Sequence, residues 1–463
     1  MQMIRPWASE YDEYRRDESR STGEAESISF PTCEDELRSI LSELDPATPI
    51  TVQGARTGLA GGAVPHGGHV VSLVRMNAYK GLRQAADGAF FLRVGPGVVL
   101  SELRRHLHAK SLPAHGWDDA SRAALEALYA GPEQFFPTDP TETSACLGGM
   151  AACNASGARS YRYGPMRPHV SGLRVVLPNG ETLALRRGDV CAQGRALELA
   201  TEQGTTMRVD LPTYVMPRAK NASGYFIADD MDAVDLFIGS DGTLGIITEL
   251  ELALMPAPRV TWGVNCFFED EGHALDFVVR ARPALDCASA FEYFDGAALD
   301  ILRTTREDGA AFASLPEVPD AYRACVFVEL ECDGETQAME ALRELGSLLE
   351  EVGGSERDTW VARTDGGPRA STPVPSCCAR VREHTHRSQA TRDPLYHQTW
   401  LRHVCARRAP ARCRRPVPAH IGRGRAGIRR VGAHWEQPPA REHLAAGRGR
   451  LRRGQGPVPR VGV

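Results

Sequence analysis

The residues best suited to chemistry in this 463-residue chain lie in four segments rich in small side chains. The first is Gly54-Ala55-Arg56-Thr57-Gly58-Leu59-Ala60-Gly61-Gly62. Glycines at this density let backbone N–H groups converge on an anion without obstruction from Cβ atoms, as cradling a pyrophosphate requires. A plain tight loop would use the same residues, and no helix follows at once as in the doubly wound dinucleotide fingerprint. The second segment runs from Phe136-Pro137-Thr138-Asp139-Pro140-Thr141-Glu142 into Leu147-Gly148-Gly149-Met150-Ala151-Ala152-Cys153-Asn154-Ala155-Ser156-Gly157. Its prolines fix the backbone, its small residues allow close approach, and Asn154 can both donate and accept. The third is Lys220-Asn221-Ala222-Ser223-Gly224-Tyr225, and the fourth is Gly239-Ser240-Asp241-Gly242-Thr243-Leu244-Gly245-Ile246-Ile247-Thr248.

These segments need elements to position them. Residues 1–30 read as a polar lead-in ending in a strand-like SISF. An amphipathic helix follows, with Leu37, Ile40, Leu41 and Leu44 on one face. The first segment then lies between a β-branched strand (ITVQ) and a second strand (HVVSLV). FFLRVGPGVVLSELRRHLHAK predicts a strand, a Gly-Pro-Gly turn and a helix with Ser101 as its N-cap. LRVVLPNGETLAL predicts a hairpin turning at Asn179-Gly180, followed by a looser stretch to about residue 218. The fourth segment leads into a strand that ends at Pro256 and Pro258. Residues 260–362 read as a new unit of two strand–helix passes, which suggests a ferredoxin-like sheet with helices on one face. Strands alternate with helices throughout, so the fold class is α+β.

Length predicts two or three domains. A composition of 42% hydrophobic and 24% charged residues is that of a soluble globular protein. Neither a transmembrane run nor a signal peptide is read, so cytoplasmic residence, free or peripheral to a membrane, is expected. The twelve cysteines are scattered, which favours reduced thiols over a disulfide framework or an iron–sulfur cluster. Charge is uneven: residues 366–463 hold 21 Arg against 3 Glu and 1 Asp, about +17, leaving about −22 for the rest.

Taken in order and spacing, DESRSTGEAESISFP, GARTGLAGGAVP, FPTDPTETSACLGGMAACNASGARSYRYGP and GSDGTLGIITE resemble the vanillyl-alcohol-oxidase/PCMH-type flavoproteins. Within them the likeness is to the branch of D-lactate dehydrogenases and glycolate oxidase FAD subunits, over about residues 20–365. The resemblance implies a lead-in at 1–27 and a PCMH-type FAD-binding domain of two α+β subdomains at 28–258. A partial FAD-linked oxidase C-terminal domain, ferredoxin-like, is then expected at 259–365. It implies FAD along Gly54, Thr57, Gly58 and Leu59 at the pyrophosphate, with Arg56, Gly61 and Gly62 in the same loop. Pro137, Thr138, Thr141, Gly148, Gly149, Asn154 and Gly157 would line the ribityl and flavin side, with Gly242 and Ile247 beside the nucleotide. Asp241 stands where the family usually has Glu. Some relatives carry a phosphate-loop His that bonds FAD covalently; Thr57-Gly58-Leu59 occupies that stretch here, so non-covalent FAD is implied. His66 and His69, just beyond, read as ordinary loop histidines.

The implied activity is oxidation of a D-2-hydroxy acid, D-lactate- or glycolate-like, by hydride transfer from Cα to flavin N5. A cytochrome-type D-lactate dehydrogenase fits best, reoxidised by a cytochrome, a quinone or an electron-transfer protein. An alkyl-dihydroxyacetone-phosphate synthase-like enzyme, or a non-enzymatic flavin or nucleic-acid binder, are the other readings. Family members continue with an Arg that grips the substrate carboxylate and a histidine motif, H-x-G-(D/N)-x-(N/H)-x-H. Residues 366–463 carry neither, so catalytic residues and metal ligands stay unassigned. Back-translating residues 433–445 and moving the frame forward by one nucleotide gives HIGNNHLHVNIL, which has the missing pattern. Trp435, with its single codon, forces the Gly within it. Residues 374–384, with an Arg, and 398–404 decode to family-like stretches in the same frame. The tail therefore reads as a frameshift product, expected to be disordered, in preference to a nucleic-acid-binding arm.

Overall fold

In the computed structural model, which describes residues 3–217, 221–222, 224–307, 317–365 and 374–375, the first glycine segment hangs between parallel strands. Strands β1 (Arg5–Pro6), β2 (Ser27–Ser29), β3 (Ile50–Gln53) and β4 (His69–Ser72) form a sheet in the order β1-β2-β4-β3. Helix α1 (Glu34–Glu43) joins β2 to β3. Leu37 and Leu41 pack against Val71, Leu73, Val176 and Ile246, and Ile40 is fully buried. Leu44 instead closes the helix in an extended conformation. The polar lead-in proves to be structured: β1 pairs with β2, and Tyr11 is buried with Trp7, Tyr14 and Phe30 around Ile28 and Val70. Its aromatic residues are interleaved with charges, which hides their stripe in the sequence.

His69 is likewise a strand residue and not a loop histidine. It is 0% exposed, with Nδ1 and Nε2 each 2.8 Å from the hydroxyls of Ser27 and Ser29 on the neighbouring strand. Burial pushes its imidazole down to about 4 from an ordinary 6.5. Between these values the unfolded chain binds a proton that the folded chain does not. Stability should therefore be full above 6.5, fall by up to roughly 3 kcal/mol as pH drops towards 4, and flatten below. Urea melts across that window check this, and His69→Gln should flatten the slope.

The second sheet is antiparallel throughout. It contains β5 (Tyr79–Gln84), β6 (Phe90–Val94), β8 (Val170–Val176), β9 (Thr182–Arg186) and β12 (Ile246–Ala253), in the order β5-β6-β12-β8-β9. Between these strands run β7 (Gln134–Phe135), β10 (Ala196–Ala200) and β11 (Thr206–Asp210), with β13 (Met255–Pro256) after them. Helices α2 (Leu100–His108), α3 (Asp119–Ala130), α4 (Leu147–Ala152), α5 (Ser160–Tyr163) and α6 (Ala233–Phe237) cover this part. Leu92, Leu100, Leu103, Phe136, Leu147, Leu173, Leu183 and Leu250 belong to its core. The hairpin turn sits where expected, with Gly180 at φ +81 and Asn179 Oδ1 accepting from the Glu181 amide. The looser stretch contains a β10–β11 hairpin, missed although Leu197 and Leu199 alternate with exposed Glu198, because each strand is only five residues long and the apolar residues of β11 are only half-buried. Glu34 ties the two sheets together, accepting from Arg174 at 2.8 Å and Thr248 at 2.7 Å.

Ser101 does not cap α2. The N-cap is Val99, without a side-chain cap, and the first amides of the helix find carbonyls in another segment. Leu100 donates to Ala145 O at 3.0 Å and Ser101 to Thr143 O at 2.9 Å. A tertiary backbone cap removes the need for a serine, and it docks the second glycine segment onto α2.

The third sheet holds β14 (Val260–Phe268), β15 (Ala288–Asp295), β16 (Ala324–Cys332), β17 (Thr359–Asp365) and β18 (Val374–Pro375). Its order, β15-β16-β14-β17-β18, is antiparallel, and its first four strands have the ferredoxin-like arrangement. Val264, Cys266 and Phe268 of β14 face α7 (Glu271–Ala284) and α9 (Glu335–Glu351). Phe267 points the other way, to Leu299 and Leu302 of α8 (Gly296–Glu307). Helices thus cover both faces, not one. All described residues fall within a single contact unit, residues 1–433. Among them no helix is long and apolar enough to cross a membrane. Apart from Val374–Pro375, the tail at 366–463 lies outside the described residues, and so do the frameshift and disorder expectations for it.

Candidate functional site

The first, second and fourth segments converge around α4, and the reason is backbone packing that side chains would block. Gly54 follows β3 so closely against the second segment that a Cβ there would stand 3.1 Å from Cys146 Cβ and 4.0 Å from Gly149 N. Gly148 sits on Pro96, where a Cβ would meet the Pro96 Cβ at 2.4 Å, so α4 is locked to the Gly-Pro-Gly turn. Gly157 touches Asp139: a Cβ would lie 1.4 Å from the Asp139 carbonyl oxygen. Gly239 and Asp241 donate backbone N–H groups to Ala151 O at 3.0 Å and Ala152 O at 2.8 Å, which docks the fourth segment on the end of α4. Gly242, at φ +74, lies beside β3, with its Cβ position 3.6 Å from Val52 Cβ.

Within this convergence two features point to a ligand. Nothing lies within 4 Å of a Cβ built on Gly149, which opens onto space where its neighbour Gly148 is jammed. Thr138 is 1% exposed, yet its Oγ1 has no hydrogen-bond partner among the described residues. The Thr138 carbonyl accepts from Arg104 at 3.0 Å, and Arg104 also pairs with Asp139 at 2.9 Å, so the segment is held firmly. Pro137 is buried and Thr141 half-buried beside it. Asn154 adopts φ +48, and its Oδ1 accepts from the Arg167 amide at 3.0 Å.

The remaining loop residues are arranged around this centre. Arg56, at φ +59, donates to Glu13 at 2.8 Å and stacks 4.1 Å from the Tyr14 ring, so its side chain is held by the N-terminal segment. Asp17 is buried with Oδ2 lacking a hydrogen-bond partner among the described residues, 4.0 Å from the Cβ position of Gly58. Thr57 and Gly61 are half-buried, while Gly58, Leu59 and Gly62 form the open rim, Leu59 being 65% exposed. Ile247 stands apart from the group: it pairs with Val175 on β8 and is buried in the core of the second sheet. Of the third segment, Tyr225 reaches Thr243 at 2.7 Å, whereas Lys220 and Ser223 lie outside the described residues. Burial pushes the Cys146 thiol up to about 11, so it is a protonated packing residue. Sequence reasoning missed Arg104 and Arg167, whose partners are distant in the chain, and Asp17, which is brought close to Gly58 only by the fold.

The geometry fits a bound dinucleotide: glycines that open onto space, an unpaired buried hydroxyl and small-residue loops gathered on one helix. Thr138→Val separates that use from packing. Without ligand, removing an unsatisfied hydroxyl should leave stability unchanged or raise it by up to about 1 kcal/mol, whereas flavin affinity should fall about tenfold. Thermal melts and flavin titration of the same variant check both.

Residues 25–186 match the family model described as an FAD binding domain. The D-lactate dehydrogenase of Anaerostipes hadrus is 35% identical over 212 residues, 46% of this chain and 32% of that protein. A probable mitochondrial D-lactate dehydrogenase of Danio rerio is 30% identical over 346 residues, 72% of this chain and 55% of its own length. The glycolate oxidase subunit GlcD of Bacillus subtilis is 26% identical over 314 residues, 67% of this chain and 52% of its own. The chain thus spans about a third to just over half of these relatives. The matched domain and these relatives support FAD as the cofactor and a likeness to the FAD-linked oxidases of the vanillyl-alcohol-oxidase/PCMH superfamily.

Proposed function

We propose that this protein is a FAD-dependent 2-hydroxyacid dehydrogenase, of the cytochrome-linked D-lactate type, whose catalytic end is altered in the chain as written. The observation that carries the reading is the convergence of Gly54, Thr138, Gly149, Gly157 and Gly242 around α4, within and beside the matched FAD binding domain. The names of the relatives supply the substrate class, a D-2-hydroxy acid such as D-lactate or glycolate.

In this reading the loop from Gly54 to Gly62 holds the pyrophosphate, with Arg56 fixing its shape through Glu13 and Tyr14. Thr138 donates its free hydroxyl, Gly149 gives the approach, and Asn154 and Gly157 set the wall of the flavin side. Ile247, buried in the core of the second sheet, stands apart from these residues. Residues 54–62 contain neither His nor Cys, which supports non-covalent binding. FAD supplies the two-electron acceptor when bound. The FAD-binding domain would run over 28–258 and the oxidase C-terminal domain over 259–365, and the enzyme would sit in the cytoplasm or against a membrane.

The out-of-frame histidine motif supports loss of the base and carboxylate clamp. The test is anaerobic mixing of the flavin-loaded protein with D-lactate, L-lactate or glycolate, followed at the flavin absorbance band. The 463-residue chain is expected to show little or no bleaching. A version restored to the shifted frame from about residue 366 should be bleached by the D-acid. Full bleaching by the chain as written would overturn the altered-end reading, and a frame-corrected protein inert to every hydroxy acid would overturn the substrate class.

A further inference from the structure

The second glycine segment continues into α5, and α5 docks on the third sheet through buried charge. Arg159 Nε and Nη2 donate to Glu329 Oε1 and Oε2 at 2.7 and 3.0 Å, a bidentate pair. Ser289 also donates to Glu329 Oε1, at 2.7 Å. Glu329 is therefore well satisfied. Glu331, two residues along β16 and on the same face, is the surplus carboxylate. Its side chain is 1% exposed, and its Oε1 lies 3.4 Å from Arg159 Nε without accepting a hydrogen bond among the described residues. Its Oε2 accepts from the Tyr163 hydroxyl.

We propose that Glu331, with Tyr163, Arg159 and Glu329, forms a protonation-dependent latch between α5 and the third sheet, closed while Glu331 holds a proton and loosened when it is ionised. Two carboxylates around one guanidinium leave a buried negative charge, and a proton on the less-bonded carboxyl removes it. Burial and the Glu329 charge push the Glu331 carboxyl up, opposed by Arg159, Tyr163 and Arg162. Asp139 adds its field behind Arg159. Because the docked carboxyl sits above its free value, the latch is tightest in acid and weakens as pH rises through the raised value. The sign is opposite to that of His69. The latch residues are not among those assigned to FAD, so the latch can fail while the flavin reading survives, and the reverse.

Amide hydrogen exchange of the full chain tests this, with the intrinsic pH dependence of exchange divided out. Peptides covering residues 159–163 and 324–332 should open up to about tenfold more per pH unit once Glu331 ionises, over a series from about 5 to about 9. Glu331→Gln, a neutral mimic of the protonated acid, should stay protected and flat across the series. Tyr163→Phe removes a hydrogen bond that favours the ionised form, so its opening should move to higher pH. A protonated-carboxyl infrared band should be present in the wild type at acid pH, vanish as the peptides open, and be absent from Glu331→Gln. A flat wild-type profile, or a Glu331→Gln profile with the wild-type slope, would overturn the latch. If that variant does not fold, the wild-type exchange profile and infrared band decide the matter together.

Discussion

Gly157→Ala is expected to unfold or severely weaken the protein, by roughly 3 kcal/mol or more, and to abolish flavin retention. The added Cβ would stand 1.4 Å from the Asp139 carbonyl oxygen and 2.5 Å from its carbon. Both are backbone atoms between Thr138 and Pro140, in a stretch that Arg104 anchors, so no side chain can turn away to make room. Gly149→Ala is the matched control. Its Cβ enters open space within α4, where alanine should keep or raise helix stability by up to about 1 kcal/mol while obstructing the approach of a ligand. Thermal melts and flavin titration should thus show one variant losing both properties and the other losing affinity alone. Equal stability of the two variants would show that the contact with Asp139 yields more easily than the packing implies.

Arg159→Ala carries the second large effect. The guanidinium is well buried, and it serves two carboxylates whose side chains are 3% and 1% exposed. Removing it leaves Glu329 with Ser289 and Glu331 with Tyr163, and no cation between them. Breaking a buried pair in this way costs about 3–5 kcal/mol, because uncompensated charge stays behind. Arg159→Lys should recover part of the loss, since an ammonium restores the charge but not the bidentate geometry. Urea melts should also show the Arg159→Ala deficit shrinking in acid, where the carboxyls take up protons. A deficit that is the same at neutral and acid pH would point to lost packing instead of lost charge.

The alternating elements were legible because period and punctuation agreed. The segments that became β3, β4, β6, α7 and α9 each carried a β-branched run, an alternation or an apolar stripe, bounded by Gly, Pro or an acidic start. The glycine segments were legible as a group, since close backbone approach has few other solutions. What escaped was tertiary. The cap of α2 comes from carbonyls more than forty residues away, so Ser101 misled. His69 was misplaced because the serines that flank it lie on another strand. The N-terminal aromatic residues are scattered among charges, and nothing local says that Tyr14 stacks under Arg56. Ile247 shows the limit of motif reading: it adjoins a glycine turn at the site, yet strand alternation turns its side chain into the core.

The most direct test of a flavin site at α4 is equilibrium binding of FAD by the purified chain, with acid precipitation afterwards. The expected result is saturation at an equimolar complement, weakened by Thr138→Val and Gly149→Ala, with all the flavin released to the supernatant by acid. A folded chain that retains no FAD, binding indifferent to both substitutions, or flavin left in the acid precipitate would each contradict a non-covalent site built on these residues.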